Sequence, residues 1–225
     1  GRRNRYLLLL KYLLCYAESS GLQDILKMET TQEEEFASLL RKQMGGYNVN
    51  ATNFIAFCRK RLFLEAKEID WEANVWYVEK LNIAPERYSL SSTIESFSFL
   101  DIQLEDNRKM LQEYLKYLFT VTNLNLGTIR IKQTYIKEFL KYLEEQEKAI
   151  TRINVNSVKE YFEKLSTQRI SPQSYNNKIR EVITFLQYLQ VTEHIDYFKV
   201  PVFFYKKKSY PKDHEIRDLD QKLDL

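Results

Sequence analysis

The chain has 225 residues, enough for one or two compact domains with true hydrophobic cores. Tyr and Phe are plentiful at 16 and 13 while Gly and Pro number only 5 and 4, a balance that favours helices over a strand-and-turn architecture. A net charge of +3 is too small by itself to argue for nucleic acid, no run of about 18 apolar residues offers a membrane span, and two His with no Cys pair at ligand spacing argue against a structural zinc.

In chain order, Tyr6–Tyr16 is an apolar run behind Arg2, Arg3 and Arg5. Its stretch Tyr6–Leu14 is similar to the start of a signal peptide, but Lys11 interrupts it and no small-residue cleavage site follows, so it reads as a buried helix. Gln32–Gln43 and Thr52–Glu65 read as amphipathic helices, set apart by Ser19-Ser20-Gly21 and Gly45-Gly46. Cys15 and Cys58 fall inside apolar helical patterns and read as buried free thiols of a reducing compartment. Trp71–Ile83 contains Val75-Trp76-Tyr77-Val78, the one stretch of strand-like composition. Phe54, Phe57, Phe63, Trp71, Trp76 and Tyr77 read as core, because base stacking would require them exposed beside positive charge. Arg59-Lys60-Arg61 is basic and close by, which leaves a second nucleic-acid face on residues 1–100 open. Ala84–Ser96, with Pro85 and a Ser/Thr cluster, reads as a loop joining two parts of the chain.

Beyond Phe97 the helical periodicity strengthens. Leu104–Phe119 places Met110, Leu111, Tyr114, Leu115 and Leu118 on one face. After a break at Asn123–Gly127, Thr128–Glu147 carries Ile129, Ile136, Phe139, Leu140 and Leu143. Asn154 is a cap for a third helix with Val158, Phe162 and Leu165 inward. Ser171-Pro172 opens a fourth, since a capping hydroxyl followed by Pro at the first helical position is a strong start signal. That helix runs to about Gln190. Tyr197–Asp213, with Pro201, Pro211, an extended Val200–Tyr205 run and Lys206-Lys207-Lys208, suits an extended linker, and Asp213–Leu223 reads as the opening turns of a further helix. Charge is unevenly placed: residues 128–212 hold 16 Lys and Arg against 9 Asp and Glu, whereas residues 1–100 balance to zero. A basic segment of this kind is an electrostatic footprint for a polyanion.

Three strings of residues carry a resemblance. They are Thr128-x6-Tyr135-x3-Phe139-x2-Tyr142-Leu143, Ile153-Asn154-x3-Val158-x2-Tyr161-Phe162-x2-Leu165, and Ser171-x2-Ser174-x2-Asn177-Lys178-x-Arg180-x4-Phe185-x2-Tyr188-Leu189. With the linker into Tyr210–Ile216, their order and spacing resemble the core-binding, SAM-like domain of tyrosine recombinases and phage integrases. Asn74-x-Trp76, Phe97-Ser-Phe99 and Asn107-Arg108 upstream are similar to the longer recombinases carried by transposons. The expected fold is mainly all-α: a helical N-terminal region over 1–96, a four-helix SAM-like core-binding domain over 97–196, and from 197 to 225 a linker and the start of a catalytic domain.

The resemblance implies duplex DNA as partner, self-association on DNA as a tetramer in the full-length enzyme, no cofactor or metal, and a cytoplasmic, nucleoid-associated place in a bacterium. Helix N-termini with free N–H groups and short hydroxyls are ready phosphate sites, and two are expected, around Thr128 and around Ser171 and Ser174. Each is followed by bases expected on the outward face, Arg130 and Lys132 in one, Lys178 and Arg180 in the other. Asn176 and Asn177 are placed to reach base edges, where an amide pairs with adenine. Lys206, Lys207 and Lys208 would release counterions from the backbone. The same resemblance implies strand cleavage through a tyrosine, with two Arg, a Lys and a His or Trp around the scissile phosphate. Those residues belong to the domain beyond the linker; Arg217 is no substitute and Tyr210 no nucleophile, so this stretch is expected to bind and not cut. A helical DNA-binding regulator and a protein–protein scaffold with an incidental basic face are the rival readings.

Overall fold

The computed structural model describes residues 2–44, 51–88 and 93–208. Its elements, in chain order, are α1 (Arg2–Ser20), α2 (Thr30–Gln43), α3 (Ala51–Glu65), β1 (Val75–Tyr77), β2 (Ser96–Ser98), α4 (Glu105–Thr120), α5 (Leu126–Glu145), α6 (Val155–Ser166) and α7 (Pro172–Val191). The fold is mainly α, and β1 and β2 form one antiparallel pair, with Val75 opposite Ser98, Trp76 opposite Phe97 and Tyr77 opposite Ser96. The expected helix opening at Asp213 lies outside the described residues.

Local chemistry accounts for most boundaries. Gly21 stops α1 at a left-handed φ of 71°, and the Leu22 N–H turns back onto the Ala17 carbonyl at 3.0 Å. The Asn154 side chain accepts from the N–H groups of Asn156 and Ser157 at 3.0 and 3.1 Å. Ser171 does the same for Ser174 at 3.1 Å. The start of α5 differs from the sequence expectation. Its cap is Asn125, which accepts from Thr128 at 2.8 Å, and Gly127 sits within the first turn instead of marking a break.

Trp76 and Phe97 are fully buried in a large core that runs from Leu26 to Ile195, with Trp76 edge-on to Trp71, Phe99 and Phe119. A smaller core gathers Leu9, Leu13, Phe36, Leu40, Phe54 and Ile55 from the first three helices. Polar ties link the two regions. Asn74 donates to the Lys27 and Met28 carbonyls at 2.8 and 3.2 Å, Thr30 to the Leu100 carbonyl at 3.0 Å, and Arg108 pairs with Glu29 at 2.7 Å. Among the described residues, the Trp76 indole N–H and the Tyr161 hydroxyl are buried without a hydrogen-bond partner.

Several expectations from the first half need correction. α1 is not a buried helix: Leu9, Leu13 and Tyr16 turn inward with Tyr12 partly buried beside them, while Tyr6, Leu7, Leu8, Leu10 and Leu14 stay exposed. Cys15 is exposed and Cys58 half-buried, so neither is an enclosed thiol. Phe57 is exposed rather than core, and Trp71 only half-buried. Arg59-Lys60-Arg61 is not a free basic face. Arg59 is buried, pairing with Glu33 and donating to the Ile25 and Met28 carbonyls, while Lys60 pairs with Glu79 and Arg61 with Glu65.

α4 is capped at both ends by residues distant in sequence. The Glu144 carboxylate accepts from the Gln103 and Leu104 N–H groups at 3.0 and 2.9 Å, ahead of its first turn. Buried Arg87 donates to the Phe119, Leu118 and Leu124 carbonyls at 2.8, 3.1 and 2.8 Å, closing its last turn. The Leu118 carbonyl also accepts from the Thr122 hydroxyl at 2.6 Å, so Arg87→Ala removes charged hydrogen bonds and leaves the Phe119 and Leu124 carbonyls without this donor. The expected loss is about 2–3 kcal/mol, read from urea unfolding at an unchanged slope.

Asp101, between β2 and α4, pairs with Lys137 and, at 2.8 Å, with Lys141. Burial alone would raise its carboxyl pKa, but the two ammonium groups outweigh burial and hold it below the usual value. A carboxyl depressed in the folded state contributes stability above its unfolded pKa and loses it as pH falls through the folded value. Asp101→Asn therefore destabilises at neutral pH, by less than about 1 kcal/mol because the side chain is partly exposed, and the gap to wild type closes below about pH 4. Unfolding midpoints measured across pH check both the sign and the window.

Candidate nucleic-acid interface

The residues expected to meet DNA separate into two groups. Those on α5 and α7 are largely engaged within the protein. Arg130 lies over the Phe97 ring at 4.3 Å, donates to Gln133 at 3.2 Å and clips onto the Ser96 carbonyl. Burial lowers its pKa, as it does that of Lys137. Lys132 pairs with the buried Glu181, and Arg180 grips the same carboxylate through two nitrogens at 3.0 and 2.9 Å. Lys178 pairs with Glu138 and sits over the Tyr135 ring at 5.8 Å. The expectation of four outward bases is thus corrected: the side chains of Lys132 and Lys178 are only 14% and 12% exposed, and Arg180 alone, at 64%, is open to solvent. The reason is that α5 and α7 pack together, and cations opposite Glu138 and Glu181 gain more from pairing across that seam than from hydration.

These ties run in opposite directions along the chain, Lys132 to Glu181 and Glu138 to Lys178. The N-terminus of α7 therefore lies beside the later turns of α5, not beside Thr128. The two helix starts do not form one cluster.

The second group converges at the start of α7. Ser171 bonds the Ser174 N–H and its hydroxyl, and Pro172 has no N–H to offer, so the exposed Gln173 presents its N–H at the helix tip. Gln173 in turn reaches Asn177 at 3.5 Å. The chain after α7 comes back to this corner. Val202–Tyr205 is a single 3-10 turn, not the extended run expected, and Tyr205 packs edge-on against Phe162 at 5.4 Å. Asn176 then holds the strap by a two-way amide pair, donating to the Lys207 carbonyl at 2.7 Å and accepting from its N–H at 2.9 Å. The Lys207 ammonium bonds the Ser166 carbonyl at 3.0 Å and covers the Tyr175 ring at 4.4 Å.

The three lysines thus have different positions. Lys207 is an anchor, while Lys206 and Lys208 are exposed on either side of it. Arg169 is exposed in the short connection between α6 and α7, two residues before the Ser171 cap. It belongs to no helical face, and its position just ahead of a Ser-Pro helix start is the one sequence signal that marks it. Thr128 is half-buried at the far end of α5, and Asn177 half-buried on the near corner. No group of three or more His, Cys, Asp or Glu fit to hold a metal occurs among the described residues. No helix there is long and apolar enough to cross a membrane.

Comparison with known proteins gives one match. Residues 111–193 match the family model of the phage integrase N-terminal SAM-like domain. The match begins inside α4 and ends just past α7, so it takes in the α5–α7 seam and the corner described above. No curated protein and no solved structure matches the chain. Residues 111–193 are thus similar to the SAM-like domain of phage integrases, which supports placing the chain with the tyrosine recombinase and integrase family.

Proposed function

We propose that this chain is the DNA-gripping part of a site-specific tyrosine recombinase or integrase, acting in integration or transposition of a mobile element. Residues 97–196 are the gripping unit, residues 1–96 back it, and the chain from 197 leads toward a catalytic domain. The observation that carries this reading is the corner where the start of α7 meets the docked lysine strap. An open helix N-terminus, three short polar side chains and exposed cations meet there, within a domain matched to integrases. Backbone phosphates are the chemistry such a corner fits. Arg169, Lys206 and Lys208 neutralise, the Ser174 hydroxyl and the Gln173 N–H donate, Ser171 holds Ser174 in place, and Asn177 stands nearest a groove edge. Asn176 acts by fixing the strap, and Lys132, Lys178 and Arg130 by holding α5, α7 and β2 together.

Thr128, at the opposite end of the α5–α7 pair, would touch a separate phosphate, with Arg180 between the two ends. In the complete enzyme, self-association on the recombination site, as a tetramer, would bring two duplexes together. Strand exchange then requires the family's tyrosine and its surrounding cations, none of which this corner contributes. Its role is affinity and register.

A mobility shift with duplex DNA from the ends of the encoding element, at two salt concentrations, tests the reading. Binding should weaken as salt rises, with a log–log slope of about −0.9 per phosphate neutralised. Lys206→Ala with Lys208→Ala should lower that slope by about 2 and weaken binding to all sequences alike. Lys178→Ala should instead cost stability, because it breaks the pair with Glu138. Absence of binding, or binding indifferent to salt, contradicts the DNA reading and favours the scaffold.

A further inference from the structure

We propose that α1 is a self-association surface, on which a second copy of this chain docks its own α1 antiparallel. The sequence of α1 is apolar on more than one side, and a helix of that kind needs a second covering layer. One side is accounted for: Leu9, Leu13 and Tyr16 pack into the small core with α2 and α3. A second stripe is not. Leu7, Leu10, Leu14 and Ala17 follow one another at steps of three, four and three, the spacing of a coiled-coil seam. They face away from the core, with Leu7 56%, Leu10 43% and Leu14 57% exposed. Beside this seam runs an apolar groove of about 430 Å³, walled on the far side by Phe57 and Leu62 of α3, both about half exposed.

The seam and groove together fit one helical ridge, and charge says which. The first acidic residue of the chain is Glu18, preceded by Arg2, Arg3, Arg5 and Lys11, so α1 is basic at its start and acidic only at its last turn. Asp24, just past that end, lines the groove. A second α1 running antiparallel brings its basic start to the acidic end of the first, and does so twice across a two-fold axis. The helix dipoles then oppose each other as well. In the same register Leu10 of each copy meets Leu14 of the other, and Leu7 meets Ala17, which is the alternation that an antiparallel seam requires. A partner helix without this charge gradient would match the groove but not its ends. The surface lies outside residues 111–193 and shares no side chain with the α7 corner, so it stands or falls apart from DNA binding.

Sedimentation equilibrium of the chain without DNA, over micromolar to tens of micromolar concentrations, is the test. A concentration-dependent dimer is expected. Leu10→Glu should turn it monomeric with an unchanged helical circular dichroism spectrum, since residue 10 is outside the core. Leu10→Glu combined with Leu14→Lys should restore the dimer, because each introduced carboxylate then faces an introduced ammonium of the other copy. A wild-type monomer at tens of micromolar overturns the proposal and leaves the groove to another partner. A dimer that survives Leu10→Glu overturns it too, by placing the contact elsewhere. If the charge-pair variant stays monomeric while Leu10→Glu dissociates, the antiparallel register is wrong and with it the choice of α1 as its own partner.

Discussion

The closure of α4 at both ends by side chains from distant parts of the chain is the constraint from which the rest of the arrangement follows. The last carbonyls of α4, beside the buried Leu118 and Phe119, need a partner other than water, while its exposed first turn is given one by the protein. Glu144, from the last turn of α5, supplies the acceptors ahead of its start, and Arg87, from the connection after β1, supplies the donors at its finish. Those two contacts fix where α5 must end and where the chain between β1 and β2 must run. With α4 so placed, Tyr114 stacks near Phe185 and Tyr188 of α7, and Trp76 and Phe97 close over Phe119.

A consequence of this packing is that much of the positive charge in the second half is structural. Arg130 holds β2 against α5, Lys132 and Lys178 seam α5 to α7, and Lys137 draws in Asp101. Charge counted along a sequence overstates what is open to a polyanion, because buried carboxylates consume part of it. What remains on the outside is less than the count suggests. Part of it, Lys206 and Lys208, lies where the strap returns to the start of α7, while Arg152, Arg180 and Lys199 are exposed as well; the strap's placement depends on Asn176 and Tyr205, neutral residues that carry no electrostatic signal at all.

The helices were legible because their apolar periods are long and their caps, Asn154 and Ser171, are chemically distinctive. The order of helices from α4 to α7 was legible for the same reason, and with it the SAM-like domain. The start of α5 was misjudged because Gly127 looks like a break, whereas Asn125 two residues earlier already satisfies the first turn. β2 escaped because three residues have no period to read; Ser96–Ser98 becomes a strand only when β1 is beside it. The direction of the charged side chains was the least legible feature. Lys132 and Arg180 are both solvent-type residues in isolation, and only the tertiary placement of Glu181 between them decides that one is enclosed and the other open. Likewise the leucines of α1 suggest burial, and the structure buries only one side of them.

The polar corner suited to phosphate and the apolar seam suited to a helix are built from separate residues. The first of these is the surface proposed to meet DNA. Amide chemical-shift mapping of the chain during titration with duplex DNA tests it most directly. The largest shifts are expected on Gln173, Ser174, Asn177 and the 206–208 strap, with Arg169 alongside. Shifts confined to residues 1–100, or spread along α5 and α7 without a maximum at that corner, would contradict it.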